Sequence, residues 1–476
     1  MSFGEVFHDC IEEKGIPFIQ FSRDTGLNRG LVHNIWKGNK RLPEHTLQEL
    51  FRNKVFLPEQ EERLREAYYA EVYGTEAFER LRFIQSALRR HAQLMPPSPM
   101  FGHLGSYAPT LSREIVTSES ALLAVLYFVL RTELDNSDTP WLESNYPFAA
   151  TEVDDFTYAM LGQYKHKKPQ FYHSVTFEAS GKTTLNLRNL FSAVRYFQLR
   201  HNVYGTISEQ GDYLPPDALY PCYFISSRHV LLFHPEKNNG LLLSEPEIVQ
   251  TIALSAAQQH TLHTAMAQFS TDEMDVQQVF SQQAAAQQAL GEFSALPCLG
   301  AFTDRGMLDE ILCPDIPARN AFIDMLYSLY QRLRGDSPAP HFHTMRGFEE
   351  FVRTGKFQEM SSRIATPAPP KMRGELLRRI CSAIQAGAQI LLLDDRALPF
   401  PNGLGLEYFN NCLLVAGSIS EGENAYMGEF FHVADRQTTT QDFNNFMGYI
   451  LRNQFHLSME QTLNYLGDLA ARCEDE

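Results

Sequence analysis

The sequence predicts a multidomain protein in which an all-α N-terminal domain precedes a larger, mixed α+β body. Three observations lead to this prediction. Apolar residues recur at helical spacing over residues 3–73. From residue 202 onward, short β-branched and aromatic runs alternate with helical segments. A proline-rich stretch at 95–99 (MPPSP) separates the two parts. At 476 residues, the chain is also longer than one typical domain.

We divide the chain into four segments on this basis. A helical domain at 1–73 is followed by a connecting helix with its proline-rich linker at 74–100. The first half of the body is placed at 101–365 and the second half at 366–476. The last boundary lies at a second break, the TPAPP sequence of residues 366–370.

A sharp turn is predicted at Gly26, between two short amphipathic segments. Glycine adopts the left-handed backbone that such a reversal requires without a steric penalty. Asn28 follows at the N-cap position, where its side-chain oxygen can accept a backbone N–H that has no partner within the helix. Leu31, Val32 and Ile35 then give the second helix an inward face, and Gly38 is expected to end it.

The opposite face of this second helix carries polar side chains and one small residue, which suits the reading of base edges and phosphates. In a helix-turn-helix, the second helix lies in the major groove while the first crosses the DNA backbone. We therefore predict a helix-turn-helix that binds double-stranded DNA. The predicted DNA-binding residues are Asn28, Arg29, Gly30, His33, Asn34 and Lys37, with Lys40 and Arg41 on phosphates.

The distribution of charge supports this prediction. Residues 14–54 contain eight Lys or Arg against three acidic residues, the kind of surplus that phosphate neutralisation needs. The first 95 residues hold 14 basic and 14 acidic residues, so the whole net charge of −16 lies beyond them. The body should therefore repel DNA while the N-terminal domain binds it; ordinary solubility is the alternative reason for an acidic body.

Residues 3–73 resemble the Cro/C1 (XRE) family of helix-turn-helix regulators. The resemblance is carried by the turn at 26–28 (GLN), the recognition segment at 29–37 and the basic exit at 38–43 (GNKRLP). It implies a five-helix DNA-binding domain that acts as a dimer on a palindromic operator. The chain departs from the family at Phe18, where a Gln often touches DNA, and at Trp36, where a Glu is common. We expect one DNA contact to be lost at Phe18 and Trp36 to pack inside the domain.

The sequence thus predicts a sequence-specific transcriptional regulator whose acidic body dimerises and senses a small molecule or peptide. The alternative is a protein-interaction or phage-defence-type protein whose helix-turn-helix domain docks a partner protein. No enzymatic signature is present, and neither a cofactor nor a metal is expected. The most apolar run, residues 121–130, is too short to span a bilayer. A cytoplasmic homodimer with no membrane contact is expected.

The body is predicted to contain two similar halves. Strands are predicted at 202–207, 222–226, 229–233 and 240–243, and again at 389–393, 404–409, 412–415 and 430–433. Helices are predicted at 112–134, 185–200, 245–269, 275–290, 321–333, 373–386, 439–452 and 458–472. Each half is predicted to contain the same elements in the same order: a strand, a polar turn, a second strand, a glycine-containing loop, a third strand and a helix. We therefore hypothesise a duplicated sheet-and-helix module. A ligand site would then lie between the copies.

Other candidate chemistry in the body has a structural interpretation. Residues 180–184 (SGKTT) mimic the end of a phosphate-binding loop, but Thr176 stands where that loop needs glycine. His341 and His343 lack a third ligand nearby and are interpreted as surface-loop histidines. The paired carboxylates at 154–155 and 394–395 point to opposite sides of a strand, so neither pair forms a site by itself. Seven scattered cysteines, none in a C-x-x-C pair, indicate neither disulfides nor zinc.

Overall fold

The structure is a computed structural model of the 476-residue chain, and it divides into two compact units, Met1–Arg82 and Phe83–Glu476. The structure describes residues 1–92, 112–146, 152–178, 184–198, 202–208, 219–234, 238–260, 264–265, 267–268, 290–333, 339–360, 364–401, 404–408, 412–417, 429–434, 438–453 and 455–475. The predicted linker at 95–99 and all but the last residue of the helix at 275–290 lie outside these residues.

The first unit is helical. Its helices are α1 (Phe3–Glu13), α2 (Phe18–Thr25), α3 (Arg29–Trp36), α4 (Glu44–Arg52) and α5 (Pro58–Tyr73), and the unit boundary falls within α6 (Thr75–Ala92). Ser2 and Glu5 form a reciprocal capping box that starts α1. The apolar residues at helical spacing are buried, as predicted: Phe7, Cys10 and Ile11 on α1 are each fully inaccessible to solvent.

Aromatic rings join the helices of the first unit. The Phe7 ring lies 5.8 Å from that of Phe21 on α2 and 6.1 Å from that of Phe56, which follows α4, both edge to face. Rings in this arrangement contribute about 0.5–1.5 kcal/mol beyond the area that they bury. The core therefore fixes α1 and α2 against the chain that follows α4.

The second unit contains helices around two mixed sheets. Its helices are α7 (Glu119–Asn136), α8 (Glu152–Gln163), α9 (Leu185–Gln198), α10 (Pro246–His260), α11 (Arg305–Ile311), α12 (Arg319–Leu333), α13 (Met345–Thr354), α14 (Pro370–Gln385), α15 (Thr438–Asn453) and α16 (Met459–Asp475). The strands of the first sheet are β1 (Arg113–Val116), β2 (Trp141–Ser144), β3 (Gln170–Glu178), β4 (Asn202–Ser208), β5 (Cys222–Ser226), β6 (Val230–His234), β7 (Asn239–Leu243) and β8 (Thr264–Ala265). Those of the second are β9 (Ala267–Gln268), β10 (Gly291–Ser294), β11 (His341–Thr344), β12 (Ile390–Leu393), β13 (Leu404–Tyr408), β14 (Cys412–Gly417) and β15 (Glu429–Ala434).

The two sheets share one strand order. The first runs β1-β7-β6-β5-β2-β3-β4-β8, and the second, read from its other edge, runs β9-β15-β14-β13-β10-β11-β12. In both, β2-β3-β4 and their counterparts β10-β11-β12 are parallel, and every other neighbouring pair is antiparallel. A serine that ends β2 or β10 faces a histidine on the next strand, Ser144 opposite His173 and Ser294 opposite His343. The repeat covers seven strands, and β8 of the first sheet has no counterpart among the described strands of the second.

The second sheet corrects the predicted division of the body. Its strands β10 and β11 precede residue 366 and β12 follows it, so a boundary at 366 does not separate the two sheets. The change of sheet occurs instead between Ala265 and Ala267, since β8 joins the first sheet and β9 the second. The TPAPP sequence leads into α14, with Pro370 as its first residue.

Two predicted helices are shorter than expected. The helix predicted from residue 112 begins at Glu119 instead, because residues 113–116 form the edge strand β1 against β7 and Ser118 caps the helix. The helix predicted over 245–269 ends at His260, since β8 and β9 follow it. None of the described helices is both long and apolar enough to cross a membrane.

Candidate nucleic-acid interface

The backbone between α2 and α3 reverses at one left-handed residue. Gly26 has φ +73°, a conformation that residues with a Cβ rarely adopt. Two residues later, the side-chain Oδ1 of Asn28 accepts the backbone N–H of Gly30 at 2.7 Å and caps α3. The predicted turn and cap are therefore confirmed.

The inner face of α3 packs on the helical core. Val32 and Ile35 are buried, and Gly4 of α1 lies directly against the end of α3. A Cβ at Gly4 would stand 2.4 Å from the carbonyl oxygen of Ile35 and 2.9 Å from that of Trp36. Only glycine fits at this position, so the close packing of α1 against the end of α3 depends on Gly4.

The outer face of α3 carries the predicted DNA-binding residues. Arg29, Gly30, His33 and Lys37 are exposed, and Asn34 is half-buried. Within the part of the chain that the structure describes, Arg29 and Lys37 form no ion pair, and the side-chain amide of Asn34 makes no hydrogen bond. These donors are available to a ligand.

The exit from α3 folds back over its last turn. Gly38 has φ +70°, and the backbone N–H groups of Asn39 and Lys40 both donate to the carbonyl of Asn34, at 2.9 and 3.2 Å. The exposed Lys40 is thereby held beside the helix end. Gly38 ends the helix as predicted.

Arg41 is less free than its predicted role requires. Its guanidinium donates to the carbonyl of Glu71 on α5 at 3.0 Å and lies 4.0 Å from the carboxylate of that residue. The Glu71 carboxylate also accepts the backbone N–H of Phe3 at 2.8 Å. Glu71 therefore links α5 to the start of α1 and to the loop that follows α3. A phosphate contact by Arg41 would compete with these bonds.

The two departures from the family pattern lie side by side. Phe18 begins α2 and Trp36 ends α3, and their rings stack with centroids 5.9 Å apart. His8 of α1 stacks on Trp36 at 4.7 Å. Trp36 is therefore only half-buried at the rim of the unit, and the expectation that it packs inside is corrected: Phe18 and His8 provide partners outside the core.

Removing the cap of α3 tests how Asn28 acts. We expect Asn28→Ala to lower the stability of the first unit by about 1 kcal/mol, because the N–H of Gly30 loses its partner. Asn28→Ser retains a capping oxygen and is expected to stay close to wild type. Urea unfolding followed by Trp36 fluorescence, in a Trp141→Phe background that leaves one tryptophan, measures both variants. Equal stability of the alanine and serine variants would contradict a capping role.

One group of potential metal ligands occurs among the described residues. The ligand atoms of His8, Asp9 and Glu12 on α1 lie within 4.8 Å of one another. The two ring nitrogens of His8 each lie 3.5 Å from a carboxylate oxygen, one of Asp9 and one of Glu12. Acidic groups of this kind are common on helix surfaces without a bound ion, and we interpret the three side chains as a polar cluster on the surface of α1.

The histidines at 341 and 343 lie on a strand, which corrects the surface-loop interpretation. β11 pairs with parallel strands on both sides, and His343 is fully buried. His343 Nδ1 lies 2.9 Å from the Ser294 hydroxyl, while His341 Nδ1 lies 2.8 Å from the Glu292 carboxylate. Burial lowers the pKa of His343 to about 4, so it is neutral at pH 7. Each ring therefore has its own partner, and the pair does not converge on a shared metal position.

Two carboxyl groups face each other beside these histidines. Glu292 on β10 and Glu407 on β13 are register partners. Burial opposes the charge of both. For Glu292, the hydrogen bonds from His341 and Ser294 outweigh burial, and its pKa is lowered. Burial and the charge of Glu292 together raise the pKa of Glu407 to about 8. Glu407 is thus mostly protonated at neutral pH.

Of the remaining motifs, the structure describes the side chains of the carboxylate pair at 394–395. Asp394 and Asp395 follow β12, as predicted, and accept the backbone N–H groups of Arg396 and Arg346 at 3.0 and 3.4 Å. Thr176 lies within β3, and residues 180–183 of the SGKTT sequence fall outside the described residues. The side chains of residues 154–155 are likewise outside them.

No protein-family model matches this chain, and no curated protein matches it. Among solved structures, the polyphosphate kinase from Porphyromonas gingivalis is similar over 75% of this chain, with 10% identity and a TM-score of 0.22. The match covers 54% of that chain, so this chain spans about half the length of that enzyme. A TM-score of this size carries no argument about fold or function.

Proposed function

We propose that this protein is a sequence-specific DNA-binding transcriptional regulator whose first unit is a helix-turn-helix domain of the Cro/C1 (XRE) type. The observation that carries the proposal is the turn at Gly26 with the Asn28 cap, after which α3 buries Val32 and Ile35 and exposes donors on its other side. A helix arranged in this way presents its outer side chains to the major groove.

Each exposed residue has a proposed role. Asn34 reads a base edge, because its amide has both donor and acceptor and suits adenine. Arg29, His33 and Lys37 contact bases or neighbouring phosphates, and Lys40 contacts a phosphate at the exit of the helix. Gly30 allows the backbone to approach DNA, while Asn28 acts through its cap.

The acidic second unit is proposed to dimerise and to sense a small molecule or peptide. The support is the charge distribution, since the net charge of −16 lies beyond residue 95, and a dimer matches a palindromic operator. Half-sites on such an operator lie about 34–36 Å apart. A modest change in dimer geometry would therefore reduce operator affinity.

Two substitutions separate base reading from phosphate binding. Asn34→Ala is expected to reduce discrimination between operator and unrelated DNA by about 1–3 kcal/mol. Lys40→Ala is expected to weaken binding to all sequences alike and to reduce the slope of log affinity against log salt by about 1. Electrophoretic mobility shifts at several salt concentrations measure both quantities. Lys356→Ala, which removes an exposed lysine from the second unit, is the control.

The sequence of the operator can be identified by selecting genomic DNA fragments that bind to the purified full-length protein. We expect an enriched palindrome whose half-site spacing reports the dimer. If the Asn34→Ala and Lys40→Ala variants footprint like wild type, α3 is not the recognition helix. A wild-type protein that retains no DNA at low salt would overturn the proposal and favour the alternative, a domain that docks a partner protein.

A further inference from the structure

Three rings from three helices form a stack at the rim of the first unit. We call His8, Phe18 and Trp36 the aromatic platform. Their centroids lie 4.7 Å (His8 to Trp36), 5.3 Å (His8 to Phe18) and 5.9 Å (Phe18 to Trp36) apart. All three side chains are half-buried; the rings of His8 and Phe18 each stack on that of Trp36, with interplanar angles of 19° and 26°, and are tilted by 36° to one another. Within the platform, His8 of α1 and Phe18 of α2 therefore hold the Trp36 ring in place.

The same ring contacts two of the exposed residues on α3. The Lys37 ammonium lies 4.6 Å from the centroid of the Trp36 ring, within the range of a cation–π interaction. The His33 ring, one turn earlier, meets Trp36 edge to face at 5.4 Å. Both Lys37 and His33 are exposed.

We propose, building on the DNA binding proposed above, that Trp36 is a positioning residue that orders Lys37 and His33 before DNA arrives. A free lysine side chain loses much of its rotamer freedom when it is fixed on a phosphate. Contact with the Trp36 ring removes part of that freedom in the unbound protein, so less is lost on binding. Phe18 and Trp36, the two residues that depart from the Cro/C1 pattern, then act together, because the Phe18 ring stacks on the Trp36 ring and helps to hold it in place.

This role differs from simple packing in a measurable way. A ring that only stabilises the fold would affect DNA affinity equally whether or not Lys37 is present. The part of the effect that comes from positioning Lys37 is present only while Lys37 is there, and the contact with His33 accounts for a smaller remainder. The number of phosphate contacts is unchanged by the loss of the ring, so the salt dependence of binding should stay the same when Trp36 alone is replaced.

The test is a double-mutant cycle in the full-length protein on its selected operator. Trp36→Leu is expected to weaken binding about 3- to 5-fold with Lys37 present and less than about 2-fold in a Lys37→Met background, the size expected of an exposed cation–π contact. Trp36→Phe keeps a ring and should recover most of the affinity. The salt slope of Trp36→Leu should equal that of wild type.

A second measurement does not involve DNA. In the free protein, NMR of ¹³C-labelled lysine is expected to show the Lys37 ε-methylene protons shifted upfield by the Trp36 ring current, with the shift lost in Trp36→Leu and retained in Trp36→Phe. Equal losses of affinity with and without Lys37, or an unshifted Lys37 signal, would overturn the positioning role alone. A wild-type protein that selects no DNA would overturn the proposed function and this inference with it.

Discussion

Replacing Gly4 with alanine is expected to lower the stability of the first unit by about 3 kcal/mol and, if the proposed DNA binding holds, to remove it near the unfolding temperature of the variant. The added methyl group would stand 2.4 Å from the carbonyl oxygen of Ile35 and 2.9 Å from that of Trp36. Both atoms belong to the backbone at the end of α3, so no side-chain rotation can relieve the clash. Either α1 moves away from α3 or α3 shifts.

The matched control is Gly467→Ala on α16. A Cβ there meets nothing within 4 Å, and the substitution is expected to be neutral or to stabilise by about 0.5–1 kcal/mol, as alanine favours helix. Urea unfolding followed by Trp36 fluorescence in the Trp141→Phe background reports on the first unit for Gly4→Ala, and circular dichroism in the same titration reports on the second unit for Gly467→Ala. If Gly4→Ala unfolds at the same urea concentration as its parent, the close approach of α1 to α3 is wrong.

Replacing Glu407 with glutamine is expected to stabilise the second unit at high pH. Glu407 has a folded-state pKa raised to about 8, above the ordinary value of 4.5, so the folded protein holds this proton more tightly than the unfolded chain. The resulting stability is fully present below pH 4.5 and is lost as the pH rises through about 8. Glutamine imitates the protonated form at every pH.

The stabilisation by Glu407→Gln should therefore be small at pH 5 and on the order of 5 kcal/mol at pH 9, since the folded and unfolded pKa values of Glu407, about 8 and 4.5, differ by about 3.5 and one pKa unit corresponds to about 1.4 kcal/mol. Glu292, which faces Glu407 across β10 and β13, remains charged at both pH values because its pKa is lowered. Urea unfolding of the second unit at the two pH values, followed by circular dichroism, measures the difference. Glu310→Gln, at an exposed site on α11, controls for the loss of a surface charge. The same stabilisation at pH 5 and pH 9 would show that Glu407 is not a buried acid.

The helical unit was predictable because its signals are local. Gly26, Asn28 and Gly38 each act within a few residues of chain, and Val32 and Ile35 mark an inner face by spacing alone. The stack of Trp36 on Phe18 and His8 was not predictable in this way. It depends on three helices meeting, and the sequence of α3 alone does not say what lies beside its last residue.

Two strands that were not predicted from the sequence, β10 and β11, carry polar residues at buried or partly buried positions. β10 contains Glu292 and Ser294, and β11 contains His341 and His343, so neither reads as an apolar run. These residues become compatible with a sheet only through partners that lie far along the chain: Ser294 meets His343 and Glu292 meets His341. Local pattern cannot supply such pairs, whereas the apolar strands β5, β6 and β14 were recognised from composition.

The change of sheet between Ala265 and Ala267 affects the order in which the two sheets can fold during translation. Every described strand of the first sheet ends by Ala265 and every described strand of the second begins at Ala267 or later, so each sheet comes from one uninterrupted stretch of polypeptide. During translation the first sheet has all of these strands once residue 265 has left the ribosome, whereas the second must wait for residue 434. Nascent proteins fold their earlier parts first. The first sheet can thus bury its apolar surface before its counterpart exists, which reduces the chance that similar strands from the two halves pair with one another.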